Sequence, residues 1–362
     1  MLIIFQILFK MPYLISGIQQ MGIGVPNVQE IWKWYRQQFG MDVRMFEEAA
    51  EAPLMIDYTG NKVQARTATL ALSMQGGGGF EIWQYTSRNT EKANFEIQLG
   101  DLGIFICRIK SKNIEKTFAQ FKANGANLVG ELQKTPNGKP HFFVKDPNGN
   151  IFDIAEGDGW FADTGNLCGG VAGAMLGVSD IEKSLKLYRD ILGYDKIEYD
   201  VTGNFSDLHS LPGGNKNVRR ILLSSTQWGK GPFGKLLGPT KIELIQAIDY
   251  SPRKIFENRF WGDWGYIHLC FDIRNMQDLQ KKCEQNGFPF TVDSKNTFDM
   301  GEAGGHFSYI EDPDGALIEF VETHKIPVIK KIGWYLNLKK RHPEKNLPNF
   351  ILKALKFNRV KD

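Results

Sequence analysis

The chain has 362 residues, 42% of them hydrophobic and 23% charged, with a formal net charge of +3. At roughly 100–200 residues per domain this length suits two domains, and the balance excludes collagen-like, disordered and transmembrane classes. Charge is uneven: from Lys325 onward 11 Lys/Arg face two acids, so the tail carries +9 and the first 324 residues −6. That is not the pattern of a nucleic-acid-binding domain.

The opening MLIIFQILF is too short to cross a bilayer and lacks the basic region and cleavage site of a signal peptide. Residues 1–16 are read as an N-terminal extension, with Met11 as an alternative start. From there one pattern, an alternating strand, a helix and further strands, recurs four times, and such internal repetition decides a fold. The first copy opens at residues 20–25 (QMGIGV), continues with the helical IWKWYRQQFGM and ends on FEIWQY. The second opens at residues 104–109 (IFICRI), continues with IEKTFAQFKANGA and ends behind the turn Asp146-Pro-Asn-Gly149. The third runs from residues 173–178 (GAMLGV) through IEKSLKLYRDILGY to IELIQAI, with Ile181, Leu185, Leu187, Tyr188 and Ile191 on one helix face. The fourth opens at residues 268–273 (HLCFDI), continues with MQDLQKKCEQNGF and ends behind Asp312-Pro-Asp-Gly315. In both turns Pro presets one dihedral and Gly accepts a positive φ.

The distance from the opening position to the acid of the last strand is 61 residues for Gln20 to Glu81 and 70 for Gly173 to Glu243. For Ile104 to Asp153 it is 49, and for His268 to Glu319 it is 51. Long, short, long, short implies duplication of a two-unit ancestor. The expected domains are residues 17–156 and 171–324, joined by a Gly-rich linker at 157–170 and followed by a basic tail, 325–362. Cys107, Cys168, Cys270 and Cys283 form no CxxC pair, which reads as reduced thiols in a cytoplasmic protein.

Paired βαβββ units with an acid on the last strand behind a DPxG turn resemble the vicinal oxygen chelate superfamily, which includes glyoxalase I, extradiol dioxygenases and bleomycin-resistance proteins. The segments HLCFDI and DPDGALIEF carry the resemblance most specifically. It implies an α+β fold of two glyoxalase-like domains with curled mixed β-sheets, and metal ligands at the opening and last-strand positions of two units. Sequential pairing of units offers Gln20, Glu81, Ile104 and Asp153, or Gly173, Glu243, His268 and Glu319, and neither set is complete. Pairing one with four and two with three collects Gln20, Glu81, His268 and Glu319 in one barrel. It leaves Asp153 and Glu243 in the other, beside Ile104 and Gly173. The first set follows the ligand order of zinc-type glyoxalase I, and IQQMGIGV around Gln20 is similar to that family's first ligand strand. An N/O set without thiolate suits one divalent metal, Zn, Ni, Co, Mn or Fe(II).

Against this, a histidine such as His268 within a strand is commonly a hydrogen-bonded core residue. Glu81 and Glu319, set between apolar neighbours, need some partner, because burying an unpaired charge costs several kcal/mol. A metal is one such partner; Lys or Arg from a neighbouring strand is the other. Glu243 reads as a relic or a structural pair.

The resemblance implies a metal-dependent lyase or isomerase of glyoxalase type. Its substrate would be a small 2-oxo or 2-hydroxy acid derivative reacting through an enediolate held by the metal. Glu319 would shuttle the proton, with Glu81 as second carboxylate and Gln20 and His268 as plain ligands. The family's glutathione contacts fall on Gly24 and Tyr85, the wrong residue types, so strict glutathione dependence is not expected. Two readings stay open beside it: an Fe(II) dioxygenase, disfavoured because Gly173 stands where a second His is needed, and a non-catalytic small-molecule-binding protein. The Gly76–Gly79 run is read as a flexible hairpin, since it follows a strand and precedes no helix. His306 is read as facing the substrate or the surface, and Trp261 and Trp264 as covering a core or the pocket mouth. The tail is read either as an amphipathic element for a membrane surface or as a helix packed over the body. Four units complete both barrels, so a monomer suffices.

Overall fold

The computed structural model describes residues 12–295, 298–299, 304–329 and 332–361; the apolar opening and the alternative start at Met11 lie outside them. Unit one comprises β1 (Leu14–Gly24), α1 (Val28–Phe39), β2 (Val43–Glu51), β3 (Ala65–Leu72) and β4 (Gly79–Tyr85). Unit two comprises β5 (Gly103–Ser111), α2 (Ile114–Ala123), β6 (Asn127–Lys134), β7 (Pro140–Lys145) and β8 (Ile151–Glu156). In unit three follow β9 (Cys168–Gly177), α3 (Ile181–Tyr188), β10 (Lys196–Gly203), β11 (Val218–Ser224), the one-turn α4 (Gly234–Leu237) and β12 (Lys241–Ala247). Unit four contains β13 (Gly265–Arg274), α5 (Met276–Gln285), β14 (Val292–Asp293), β15 (Phe298–Asp299), β16 (Gly304–Glu311) and β17 (Leu317–Ile329). The tail adds β18 (Trp334–Asn337) and α6 (Asn349–Ala354).

Two curled mixed sheets result. One runs β14-β16-β17-β13-β1-β4-β3-β2, with β15 on β16 and β18 on β17; the other runs β10-β11-β12-β9-β5-β8-β7-β6. Each is joined at its centre by an antiparallel pair from different units, β1 with β13 and β5 with β9. Unit one therefore shares a sheet with unit four, and unit two with unit three.

The helices form where the sequence supplies caps and an apolar stripe. Asn27 caps α1 through the Gln29 and Glu30 amides, Gly40 ends it in the left-handed conformation, and Ile31, Trp32, Tyr35 and Phe39 face inward. Asn113 and Asp180 cap α2 and α3 in the same way. The main core lies between the sheets, where Phe39 and Phe80 of unit one meet Phe152 of unit two with centroids 5.0 and 5.8 Å from it. The Tyr35 hydroxyl donates to Asp146 at 2.7 Å, and that of Tyr188 to Asp312 at 3.0 Å. Each first-of-pair helix thus holds the DPxG turn of the unit that follows it in sequence.

The Gly76–Gly79 run closes the antiparallel β3/β4 hairpin, as expected, but not as a free surface turn. It is buried, and a Cβ on Gly77 would lie 2.6 Å from Gly170, because the two backbones cross there: Gly78 N donates to Val171 O and Val171 N to Gly78 O, both at 2.8 Å. Its glycines serve close approach between the sheets, a role that sequence position alone does not distinguish from a loop. Residues 157–167 are irregular coil.

Leu338, Leu347, Ile351, Leu352 and Leu355 of the tail are buried with Val43, Met45 and Leu72 of unit one and Ile326 and Val328 of β17. The tail thereby spans between β2 and β17, on opposite sides of the central β1/β13 pair. Phe350 and Phe357 remain on its exposed side. All four cysteines are free and buried. Among the described residues no helix is long and apolar enough to cross a membrane.

Candidate metal centre

Strand register explains why four side chains distant in sequence converge. Gly22 of β1 lies opposite Glu81 on β4 and opposite His268 on β13, while Cys270 lies between Gln20 and Glu319. Residues in register share a face of the sheet, so one row reads Glu81–Gly22–His268 and the next Gln20–Cys270–Glu319. Gly22 makes the space: a Cβ there would lie 2.4 Å from His268 Cε1 and Nε2.

His268 Nε2 stands 3.2 Å from Glu81 Oε2 and 3.2 Å from Glu319 Oε2. Gln20 Nε2 donates to the same two oxygens, at 3.0 and 3.3 Å. One ligand atom each from Glu81, His268 and Glu319 falls within 4.8 Å of the others. All four side chains are buried. Tyr309, in register with Glu319, places its hydroxyl 3.3 Å from His268 Nδ1, and Trp261 stacks over the imidazole at 6.2 Å. Such a contact to the far ring nitrogen orients an imidazole whose Nε2 serves as ligand.

Burial pushes the Glu319 carboxyl up to about 7; Glu81 adds to that and His268 opposes it. Burial alone would lower His268, but the charges of Glu319 and Glu81 outweigh it and hold the imidazole above its ordinary value. Among the described residues neither carboxylate has a Lys or Arg ion pair. Among the described residues Gln20 Oε1 has no hydrogen-bond partner, and His268 Nε2 faces the two carboxylate oxygens without hydrogen-bond geometry to either. Two carboxylates, an imidazole nitrogen and an amide oxygen without a partner fit a divalent cation.

The corresponding place in the other sheet is filled by the protein itself. There Arg108 of β5 lies opposite both Gly173 and Asp153, as Gly22 lies opposite His268 and Glu81. The same register aligns Ile106, not Ile104, with Gln20, and each central pair carries a matching irregularity just before that position, at Ile104/Ile106 and at Ile18/Gln20. Glycine and bulky partner have exchanged sides, and a guanidinium occupies the space. Arg108 bonds Asp153 at 2.7 Å and Glu243 at 2.9 Å. Arg220 bonds Glu243 and Asp207, both at 2.7 Å, and His141 meets Asp153 at 2.9 Å and Asp207 at 3.5 Å. Three buried cations face three buried carboxylates. Burial opposes ionisation of Asp153, yet Arg108 and His141 hold its carboxyl well below the usual range.

A cavity of about 520 Å³ opens onto Gln20, Glu81 and Glu319. Its walls include Phe46, Trp83, Trp261 and Phe307 near the acids, and Leu236 and Leu355 further out. Trp261 therefore covers the pocket, whereas Trp264 lies away from it, its indole donating to Thr90. His306 bonds Asp293 and does not line the cavity, unlike its strand neighbour Phe307. Gly24 has no room for a side chain, since a Cβ would meet the Asp263 carbonyl, and the Tyr85 hydroxyl is engaged by the Trp261 carbonyl. Sequence reasoning missed Gln19, which lines the cavity and donates to Asp272 and Thr323, as well as Tyr309 and Trp83. Only the alternation of β16 and β4 hints at the last two.

Four βαβββ units closed into two curled sheets, one of them holding an inward cluster of amide, imidazole and two carboxylates, define a vicinal-oxygen-chelate architecture. The chain belongs to the Glyoxalase/Bleomycin resistance protein/Dioxygenase superfamily, whose sequence profile matches residues 17–154 and 170–320. Glyoxalase I from Zea mays is similar in structure, with a TM-score of 0.52 and 15% identity, covering 84% of this chain and 92% of its own. A putative dioxygenase from Bacillus subtilis is similar too, with a TM-score of 0.54 and 13% identity over 85% of each chain. At such identities the likeness shows the fold. No curated protein sequence matches.

Proposed function

We propose that the chain is a metal-dependent lyase or isomerase that moves a proton between adjacent carbons of a 2-oxo or 2-hydroxy acid derivative. The observation that carries this is the contrast between the sheets. The acids Asp153 and Glu243 are neutralised by Arg108 and Arg220, whereas Glu81 and Glu319, on the matching face, have no Lys or Arg pair among the described residues. Carboxylates kept buried without such a partner are provided for an external cation.

In this reading Gln20, Glu81, His268 and Glu319 hold one divalent ion, of Zn, Ni, Co, Mn or Fe(II) type. When bound, the ion supplies Lewis acidity toward two vicinal substrate oxygens. Glu319 takes the proton from the hydroxyl-bearing carbon beside the carbonyl and returns it to the carbonyl carbon, while the hydroxyl proton passes to the former carbonyl oxygen; hydroxyl and carbonyl exchange places, and atoms and electrons balance. Glu81 balances the charge, Tyr309 orients His268, and Trp83 and Trp261 exclude water.

A dioxygenase is less well supported, because such sites use two imidazoles and His268 is the single histidine in the cluster. A metal-free binding protein would have only the His268 imidazole to balance Glu81 and Glu319 among the described residues, with no Lys or Arg beside them. The deciding experiment is elemental analysis of the purified protein beside a His268→Ala/Glu319→Ala double variant. About one equivalent of a first-row metal, lost in the variant, is expected. No metal after reconstitution with each of the five ions overturns the proposal.

A further inference from the structure

The cavity above the acids has a composition of its own. Its volume of about 520 Å³ lies within the roughly 300–1,000 Å³ usual for small-molecule sites. Among the described residues its floor is polar, at Gln20, Glu81 and Glu319, and charge returns at Glu48, Glu51 and Arg66. The remaining lining is largely apolar and includes Met45, Leu72, Val321, Leu236, Ile326 and Leu355. Two of the wall-forming segments lie outside the regular strands of the repeats: Phe233 to Leu237, inserted between β11 and β12, and the tail with Leu355. Both join one apolar cluster with β2 and β17, so the chain uses additional segments to enclose apolar space over a polar floor.

Charge points the same way. Among the described lining residues the cation facing the cavity is Arg66, already paired with Glu48 at 2.8 Å, while Glu48 and Glu51 bring negative charge to the rim. An anionic peptide conjugate would meet carboxylates and aliphatic side chains there.

From these observations, and resting on the metal-site reading above, we infer that the substrate is amphiphilic: vicinal oxygens at one end, borne on an apolar body of medium-chain or ring size that fills the cavity. Burial of each methylene then strengthens binding about four-fold.

The test uses the full chain, loaded with Zn²⁺ or stripped of metal, and three probes: acetohydroxamic acid, octanohydroxamic acid and octanamide. Binding is followed by tryptophan fluorescence, since Trp83 and Trp261 line the cavity, and by calorimetry. The loaded protein is expected to bind octanohydroxamate at least about 100-fold more tightly than acetohydroxamate, six methylenes allowing for incomplete burial. Val321→Trp, which places an indole in the cavity two residues from Glu319, is expected to reduce that ratio below about ten-fold. Octanamide, with the chain but no chelating pair, is expected to bind loaded and stripped protein alike, and more weakly than octanohydroxamate binds the loaded form. Similar affinities for the two hydroxamates in the wild-type loaded protein overturn the inference and leave the metal reading standing. Octanohydroxamate that binds no better than octanamide, with or without Zn²⁺, overturns the metal reading and leaves the apolar cavity standing.

Discussion

At the scale of single residues, the candidate centre depends on what is missing at one position. Gly22 lies between Glu81 and His268 in register, and its φ is outside the left-handed region, so backbone freedom does not explain it. The explanation is contact: any Cβ would overlap the imidazole, which is boxed by Trp261 and Tyr309. Gly22→Ala is therefore expected to displace His268, to cost about 1–3 kcal/mol as overpacking does, and to lower metal content while the far-UV spectrum is retained. Equal metal content in the variant and the wild type, by elemental analysis, would refute the role given to Gly22. The four candidate ligands were legible in the sequence because each occupies a repeated position, the opening or the last strand of a unit. Gly22 and Arg108 were not, because their meaning arises from the neighbouring strand's register, which also sets Ile106, not Ile104, in the place equivalent to Gln20.

At the scale of elements, β7, β8, β11 and β12 bring His141, Asp153, Arg220 and Glu243 into the second sheet's buried network, with Asp207 beside them. Truncating one member leaves its partners charged and buried. Arg220→Met is thus expected to destabilise by about 3–5 kcal/mol, whereas replacing several members together with apolar residues costs less. Chemical denaturation of the single variant tests this; a loss under 1 kcal/mol would mean the network relaxes freely.

His141 makes the same network pH-dependent. Burial would lower its pKa, but Asp153 and Asp207 raise it to about 9, against an ordinary 6.5. A histidine whose folded pKa is raised binds its proton more tightly when folded. Its stabilisation is complete below about pH 6.5 and is lost as pH rises through about 9, to an upper bound of about 3 kcal/mol. His141→Gln is expected to flatten the stability profile between pH 6 and 9.5. Parallel profiles for variant and wild type, measured by urea unfolding, would remove His141 from the account.

At the scale of the whole molecule, the repeats were legible as repeats, and the long-short-long-short spacing pointed to a duplicated pair. Counting ligands favoured crosswise assembly without establishing it, since hydrogen bonding across β1/β13 and β5/β9 leaves no mark in hydrophobic alternation. The structure combines two kinds of connection. The sheets join units from opposite halves of the chain, while Tyr35–Asp146 and Tyr188–Asp312 tie neighbouring units within each half. A half-chain therefore keeps its helix-to-turn ties but exposes the inner edges of both its sheets, β1 and β5 in the first half, β9 and β13 in the second. Such unpaired edges recruit other strands. Residues 12–162 expressed alone are expected to associate or aggregate, and their co-expression with residues 163–361 is expected to restore a one-to-one complex that unfolds in a single transition. Size-exclusion chromatography with light scattering checks both outcomes. A first half that is monomeric and cooperatively folded on its own would show that the central pairs β1/β13 and β5/β9 contribute little to stability, and that each half has its own way of covering those edges.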